Sequence, residues 1–179
     1  KRLRTIILLG CSQEAEGLDD ENNALDFAKK AQRHAPDNLA ATLRYTQLLA
    51  AAGKTGAVEK LAREAWGRNP HPELARLYLE ADGEIPPLAA IKRLEKLVAA
   101  NQSHAETHIV LARAHLNAEI WGAARSHLEA ACGDDPPARV CRMMAELEER
   151  ENPGQNGESG GDMAAVRRWL MRASIAAPD

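Results

Sequence analysis

Apolar and small residues recur with the spacing of packed helices between residues 105 and 138. Two windows of helical periodicity are separated by residues 118–120, and a proline ends the second window. The positions that define the pattern are Leu111, Ala112, His115, Ala124, Leu128, Ala131 and Pro136. Small side chains at Ala112, Ala124 and Ala131 allow two antiparallel helices to approach closely, and Pro136 stops the second helix. The stretch therefore predicts a helical hairpin, which needs neighbours because it cannot bury its apolar face alone.

The same pattern repeats in phase along the chain. Small or apolar residues stand five, eight and twelve positions before Pro36, Pro70, Pro136 and Pro178. A further unit that lacks the proline ends near Gln102. The steps from Pro36 to Pro70 and from Gln102 to Pro136 are each 34 residues, which is the period of the tetratricopeptide repeat (TPR).

These units predict an all-α fold. We expect a TPR-like right-handed α-solenoid of about five helical hairpins, or ten helices, in a single domain over residues 1–179. The predicted hairpins cover residues 1–36, 37–70, 71–102, 103–136 and 137–178. Residues 152–161, NPGQNGESGG, predict a flexible loop inside the last hairpin. The predicted helix caps are Asp20 or Asn22, Asp37 or Asn38, Thr55, and Ser103 in a capping box with Glu106.

Composition and charge narrow the classes of function. The net charge is −3, the pI is about 6.1, and neither half of the chain is basic, so no nucleic-acid partner is expected. Cys11, Cys132 and Cys141 are odd in number and form no C-x-x-C pair, which favours reduced structural thiols. No apolar run approaches the ~18 residues of a membrane span. Because the chain starts at Lys1 without Met, we expect a piece of a longer protein, with any membrane anchor outside it.

No catalytic motif is found. The sequence has no Walker loop, no G-x-G-x-x-G and no G-x-S-x-G, so we expect no enzyme, no catalytic residues and no metal site. His104, His108 and His115 leave one alternative open, because His104 and His108 share a helix face and could ligate haem or porphyrin. The other interpretation is packing, since His108 and His115 stand where a TPR normally has large side chains inside the hairpin.

A TPR array binds its partners on the concave wall formed by its first helices. The predicted partner-binding residues are Leu43, Gln47, Glu106, Ile109, Arg113, Leu116, Asn117, Arg139, Arg142 and Glu146. Arg113, Arg139 and Arg142 could together hold a carboxylate or an acidic peptide, and ordinary solvated charge is the alternative. The expected partner is a protein or peptide, and the oligomeric state stays open.

The last eighty residues carry more specific segments. They read AANQSHAETHIVLARAHLNAEIWGAARSHLEA, then PPARVCRMMAELEE, a Gly-rich break, RRWLMRA and a closing APD. These segments resemble the C-terminal half of bacterial HemY proteins, a TPR family associated with haem biosynthesis. The resemblance implies an interaction scaffold held at the bacterial inner membrane by an N-terminal segment outside this chain, with this domain on the cytoplasmic side. It supplies no catalytic residues, and a haem or porphyrin carrier using His104, His108 and His115 is the alternative function.

Overall fold

The computed structural model describes residues 2–151 and 162–176, and every regular element in those two ranges is an α-helix. The helices are α1 (Arg2–Gly17), α2 (Glu21–His34), α3 (Leu39–Ala51), α4 (Thr55–Arg68), α5 (Pro72–Glu80), α6 (Pro87–Val98), α7 (Ala105–Asn117), α8 (Trp121–Cys132), α9 (Ala138–Glu151) and α10 (Met163–Ile175). The predicted all-α fold of ten helices is thus confirmed for the described ranges. The predicted loop at 152–161 and the proline Pro178 lie outside the described residues.

Two of the predicted helix caps are confirmed. Asp20 caps α2 and Asn38 caps α3, and each side chain accepts a backbone N–H three residues further on, at 3.1 and 2.9 Å. Such caps satisfy donors that the first helical turn leaves without a partner. Both helices therefore begin where the sequence places them.

Two other cap predictions are wrong. Thr55 is the first residue of α4, and its hydroxyl donates to the carbonyl of Ala81 at 3.1 Å, so it ties α4 to the end of α5. Helix α7 is capped by His104, whose Nδ1 accepts the N–H of Glu106 at 3.1 Å. This cap replaces the predicted box between Ser103 and Glu106, while the helix itself begins at Ala105 as expected.

The chain divides into two compact units. Unit 1 comprises Lys1–Ile85 with Arg93–Asn101, and unit 2 comprises Pro86–Lys92 with Gln102–Asp179. In unit 1, α1 pairs with α2 and α3 with α4, while the first helices α1, α3 and α5 follow one another side by side. In unit 2, α7 pairs with α8 and α9 with α10, and α7 lies beside α9. Sequential hairpins with adjacent first helices are the TPR arrangement, and a single continuous domain stays a prediction.

The predicted small-residue register is confirmed by burial in three repeats. The buried positions are Ala24, Ala28 and Ala31, then Val58, Ala62 and Ala65, then Ala124, Leu128 and Ala131. In α10 the pattern is weaker, since Val166 is buried but Leu170 is 49% exposed. Small side chains at these positions keep paired helices close, which explains why alanine recurs in the second helices of these three repeats.

The core of unit 2 joins both of its hairpins. Its buried members are Ile109, Ala112, Leu116, Ala124, Leu128, Ala131, Val140, Met143, Met144 and Leu147. Trp121 and Trp169 are partly buried against this cluster. Since α7, α8 and α9 all contribute to one cluster, the fourth and fifth repeats stabilise each other.

Unit 1 contains a polar link between its first three helices. The hydroxyl of Ser12 donates to the carbonyl of Ala24 at 2.8 Å and accepts from Nε of Arg44 at 3.1 Å. Arg44 also pairs with Glu16 at 2.9 Å. Buried polar groups need such partners, so this network fixes α1 and α2 against α3.

Among the described residues, no helix is both long and apolar enough to cross a membrane.

Candidate interaction surface on the first helices of unit 2

Two ion pairs join α7 to α9. Oε2 of Glu106 pairs with Nη2 of Arg139, and Oε2 of Glu146 lies 2.6 Å from Nη1 of Arg113. Both pairs link residues 33 positions apart, which is close to one repeat. Because the two first helices are set one repeat apart, charges on α7 meet opposite charges at equivalent places on α9.

Glu146 is held in its ionised form by this arrangement. Partial burial raises the pKa of Glu146, but hydrogen bonds and charge from Arg113 and then Arg150 outweigh it, so the pKa lies below its ordinary value. Nη1 of Arg150 reaches the second carboxylate oxygen at 3.0 Å. The carboxylate thus connects α7 to α9 and to a further arginine on α9.

A parallel set of charges joins α8 to α9. Arg125 donates to Glu148 at 2.7 Å and to Glu151 at 2.5 Å. These hydrogen bonds raise the pKa of Arg125 above its ordinary value. The charged side chains of α9 therefore serve contacts between repeats on both sides of the helix.

The predicted partner-binding residues differ in accessibility. Glu106, Ile109 and Leu116 are buried, and the last two belong to the core of unit 2. Leu43, Arg139 and Glu146 are half-buried, while Gln47, Arg113, Asn117 and Arg142 are exposed. Leu43 and Gln47 lie in unit 1 and the others in unit 2. Binding by these residues stays a prediction, and the accessible part of it in unit 2 is carried by Arg113, Asn117 and Arg142.

The predicted arginine clamp has internal partners. Arg113 and Arg139 already pair with Glu146 and Glu106 within unit 2. A ligand carboxylate at Arg113 would have to compete with Glu146. Arg142 is exposed on α9. Oε1 of the buried Glu106 has no hydrogen-bond partner among the described residues. The ion pair of Glu106 with Arg139 therefore leaves one carboxylate oxygen without a hydrogen bond.

Three histidines meet inside the α7–α8 hairpin. Nδ1 of His108 lies 3.2 Å from Nδ1 of His127. The ring of His127 stands between the other two, with centroid distances of 5.5 Å to His108 and 5.2 Å to His115. All three are half-buried. His104 is not part of this group, because its side chain caps α7.

His127 was not among the histidines that the sequence indicated as candidate ligands. It stands three residues after Ala124 and four before Ala131 on α8, so it shares a helix face with two buried positions, and that spacing was the available signal. Burial raises the pKa of the Cys132 and Cys141 thiols, which disfavours their thiolate forms. All three cysteines are unbridged.

The sequence was compared with protein families and with curated proteins. No family model matches the chain. A curated relative, the probable magnetosome protein Mms48 of Magnetospirillum gryphiswaldense, is 32% identical over 175 residues, which is 96% of this chain and 36% of the relative. The chain therefore spans about a third of the length of that relative.

Solved structures of MamA have the same fold. One MamA crystal structure covers 91% of this chain and 92% of its own, with a TM-score of 0.53 and 15% identity. MamA 41-end from Desulfovibrio magneticus RS-1 covers 96% and 93%, with a TM-score of 0.52 and 14% identity. These similarities do not support the resemblance to HemY proteins. What they and the helical register establish together is a TPR-like α-solenoid of the kind seen in MamA.

Proposed function

We propose that the chain is a protein-interaction scaffold that binds a partner on the first helices of its repeats. The TPR-like fold supports this, because such repeats present adjacent first helices as an extended binding surface. The observation that carries the proposal is the side-by-side packing of α7 and α9, tied by two ion pairs. Neighbouring helices held together by such contacts lower the ordering cost of binding.

The chemistry of the surface suggests an acidic segment as ligand. Arg142 and Arg113 are exposed on α9 and α7, and arginine binds carboxylates in bidentate geometry. Glu146 already holds Arg113 in position, so a partner carboxylate would share or replace that contact. Asn117, exposed one helical turn after Arg113, adds a donor and an acceptor beside the arginine.

The proposal is tested by comparing matched arginine variants. The purified protein is used to capture partners from a membrane-protein extract, and the dissociation constant of the identified partner is then measured for each variant. We expect Arg113→Ala with Arg142→Ala to weaken binding by about tenfold or more, as for arginines central to an interface. Arg167→Ala is the control, because Arg167 is an exposed arginine on a second helix. Equal affinity of the double variant and the parent would remove this surface from consideration.

The cellular setting of the scaffold is a separate proposal. Similarity to a protein named as a probable magnetosome protein supports a role at that organelle, although the chain spans about a third of that relative. A fluorescent fusion in a magnetosome-forming cell should follow the magnetosome chain, and an even distribution would contradict the proposal. A HemY-type role at the cytoplasmic face of the inner membrane stays a prediction that only the resemblance supports.

Haem or porphyrin carriage also stays a prediction. His104 lies apart from the cluster of His108, His115 and His127, so the three histidines first expected to act together do not meet. A haem titration followed by the Soret band decides the question. The absence of a Soret shift at micromolar haem would end it.

A further inference from the structure

The fourth repeat has imidazoles where a TPR normally has large side chains. The motif expects such residues three positions before and four positions after Leu111, and the chain has His108 and His115 there. The second helix contributes His127 between them. The hairpin interior therefore contains nitrogen donors in place of aromatic or aliphatic packing.

The shortest contact in this group joins two like atoms. Nδ1 of His108 and Nδ1 of His127 are 3.2 Å apart. Two ring nitrogens at this distance either share one proton in an N–H···N hydrogen bond or share one cation. Bonds of ~2.1 Å to one ion at tetrahedral or octahedral angles put two nitrogens roughly 3.0–3.4 Å apart. The observed separation of 3.2 Å between the two Nδ1 atoms lies within this range.

The tautomer of His115 is set by the backbone. Its Nδ1 lies 2.7 Å from the carbonyl oxygen of Leu111. Because a carbonyl can only accept, Nδ1 of a neutral His115 carries the proton and Nε2 keeps its lone pair. Its Nδ1 is thus engaged by α7 itself, and His115 is not one of the ligands proposed below.

We propose that His108 and His127 form a binding site for a divalent transition cation of the Zn²⁺, Ni²⁺ or Cu²⁺ type. The ion would be held by the two Nδ1 atoms, with both protons on Nε2, and water would fill its other positions. The part of the chain that the structure describes has no group of three or more His, Cys, Asp or Glu side chains placed to hold a metal, so the protein supplies two ligands. Imidazole nitrogens select such ions over Mg²⁺, which prefers oxygen.

The site has a structural consequence. His108 lies on α7 and His127 on α8, so a shared ion would bridge the two helices of the fourth repeat. Any ligand that binds only the folded chain stabilises it by mass action. The cation should therefore raise the melting temperature of the hairpin that carries the proposed interaction surface.

The test is a Zn²⁺ titration of the whole chain by calorimetry, with a parallel titration of Mg²⁺. We expect one Zn²⁺ per chain, no binding of Mg²⁺, and displacement of the Nδ1 resonances of His108 and His127 in histidine-selective nitrogen NMR spectra. His108→Gln and His127→Gln should each weaken Zn²⁺ binding by at least about tenfold, the smallest loss typical even of residues that only support a metal ligand. His71→Asn and His104→Asn are the controls, because both retain a capping side chain and lie outside the pair.

The outcomes separate the two explanations of the short contact. Binding that is lost in both glutamine variants and kept in both controls supports the site. No heat of Zn²⁺ binding in the parent would overturn it and leave a shared proton as the explanation of the 3.2 Å contact. Equal binding in parent and glutamine variants would overturn it as well, and circular dichroism of each variant without metal checks that the fold is intact.

Discussion

The packing of the fourth hairpin leaves no room for a larger side chain at Ala124. Ala124 is fully buried and belongs to the same core cluster as Ala112, which is also fully buried. We infer that α7 and α8 approach each other through these two small side chains. Replacing Ala124 with leucine adds three carbon atoms at this point, while the helix propensity of the residue changes little.

Two opposing effects set the size of the change. Burying three more carbon atoms in a site with free space would stabilise the fold by roughly 2 kcal/mol, at ~0.8 kcal/mol each. Ala124 has no exposed surface and its neighbours are close-packed, so the added atoms must displace α7 or α8. Overpacking of this kind typically costs a net 1–3 kcal/mol, and we expect a loss of about that size.

Urea denaturation followed by far-UV circular dichroism measures the change, with Ala130→Leu as the matched control. Ala130 lies on the same helix and is exposed, so its replacement should alter the free energy of unfolding by less than about 0.5 kcal/mol. Amide hydrogen exchange should show the loss of protection in α7, α8 and α9, which share one core cluster. An unchanged denaturation midpoint for Ala124→Leu, or an equal fall for Ala130→Leu, would refute the helix register.

Three further predictions concern the fourth and fifth hairpins. Leu128→Ala should lower the free energy of unfolding by about 2–5 kcal/mol, because Leu128 is fully buried and a cavity would remain. A loss below about 1 kcal/mol in urea denaturation would contradict the central place of Leu128 in the core. Glu146→Gln should lower the free energy of unfolding at neutral pH, and the difference from the parent should shrink as the pH falls below 4.5. The reason is that the pKa of Glu146 is lowered in the folded protein, so only its ionised form stabilises the fold. A difference in free energy that stays constant with pH would argue against the ion pairs. Asp162→Ala should lower the free energy of unfolding by about 1 kcal/mol, because the Asp162 side chain caps α10 and accepts two backbone N–H groups at 3.0 Å. Asp162→Asn should keep most of this stability, because asparagine also caps helices. Equal thermal stability of the two variants would count against the cap.

The fold could be predicted because its determinants are local and periodic. Close helix pairs need small residues at fixed offsets, and residues such as Ala28, Ala62 and Ala124 show that need directly in the sequence. Proline and capping residues mark where helices end and begin, so errors such as Ser103 for His104 amount to one residue.

The candidate site was harder to predict, because it depends on how each helix is rotated about its axis. Ile109 and Leu116 were expected to face a partner and instead face the core of unit 2. The charges expected to be available to a ligand at Arg113 and Arg139 have partners one repeat away. The constant spacing of 33 residues in these pairs is a signal that a sequence search for opposite charges at the repeat period would have found.

Site-specific photo-crosslinking tests the proposed interaction surface most directly. A photoreactive phenylalanine analogue is placed at Asn117 on α7 or Glu149 on α9, both exposed on first helices, and at Glu129, exposed on the second helix α8, as the control. After irradiation in cells, a partner bound to the first-helix surface should give the same adduct from Asn117 and Glu149 and none from Glu129. An adduct formed only from Glu129 would contradict the account.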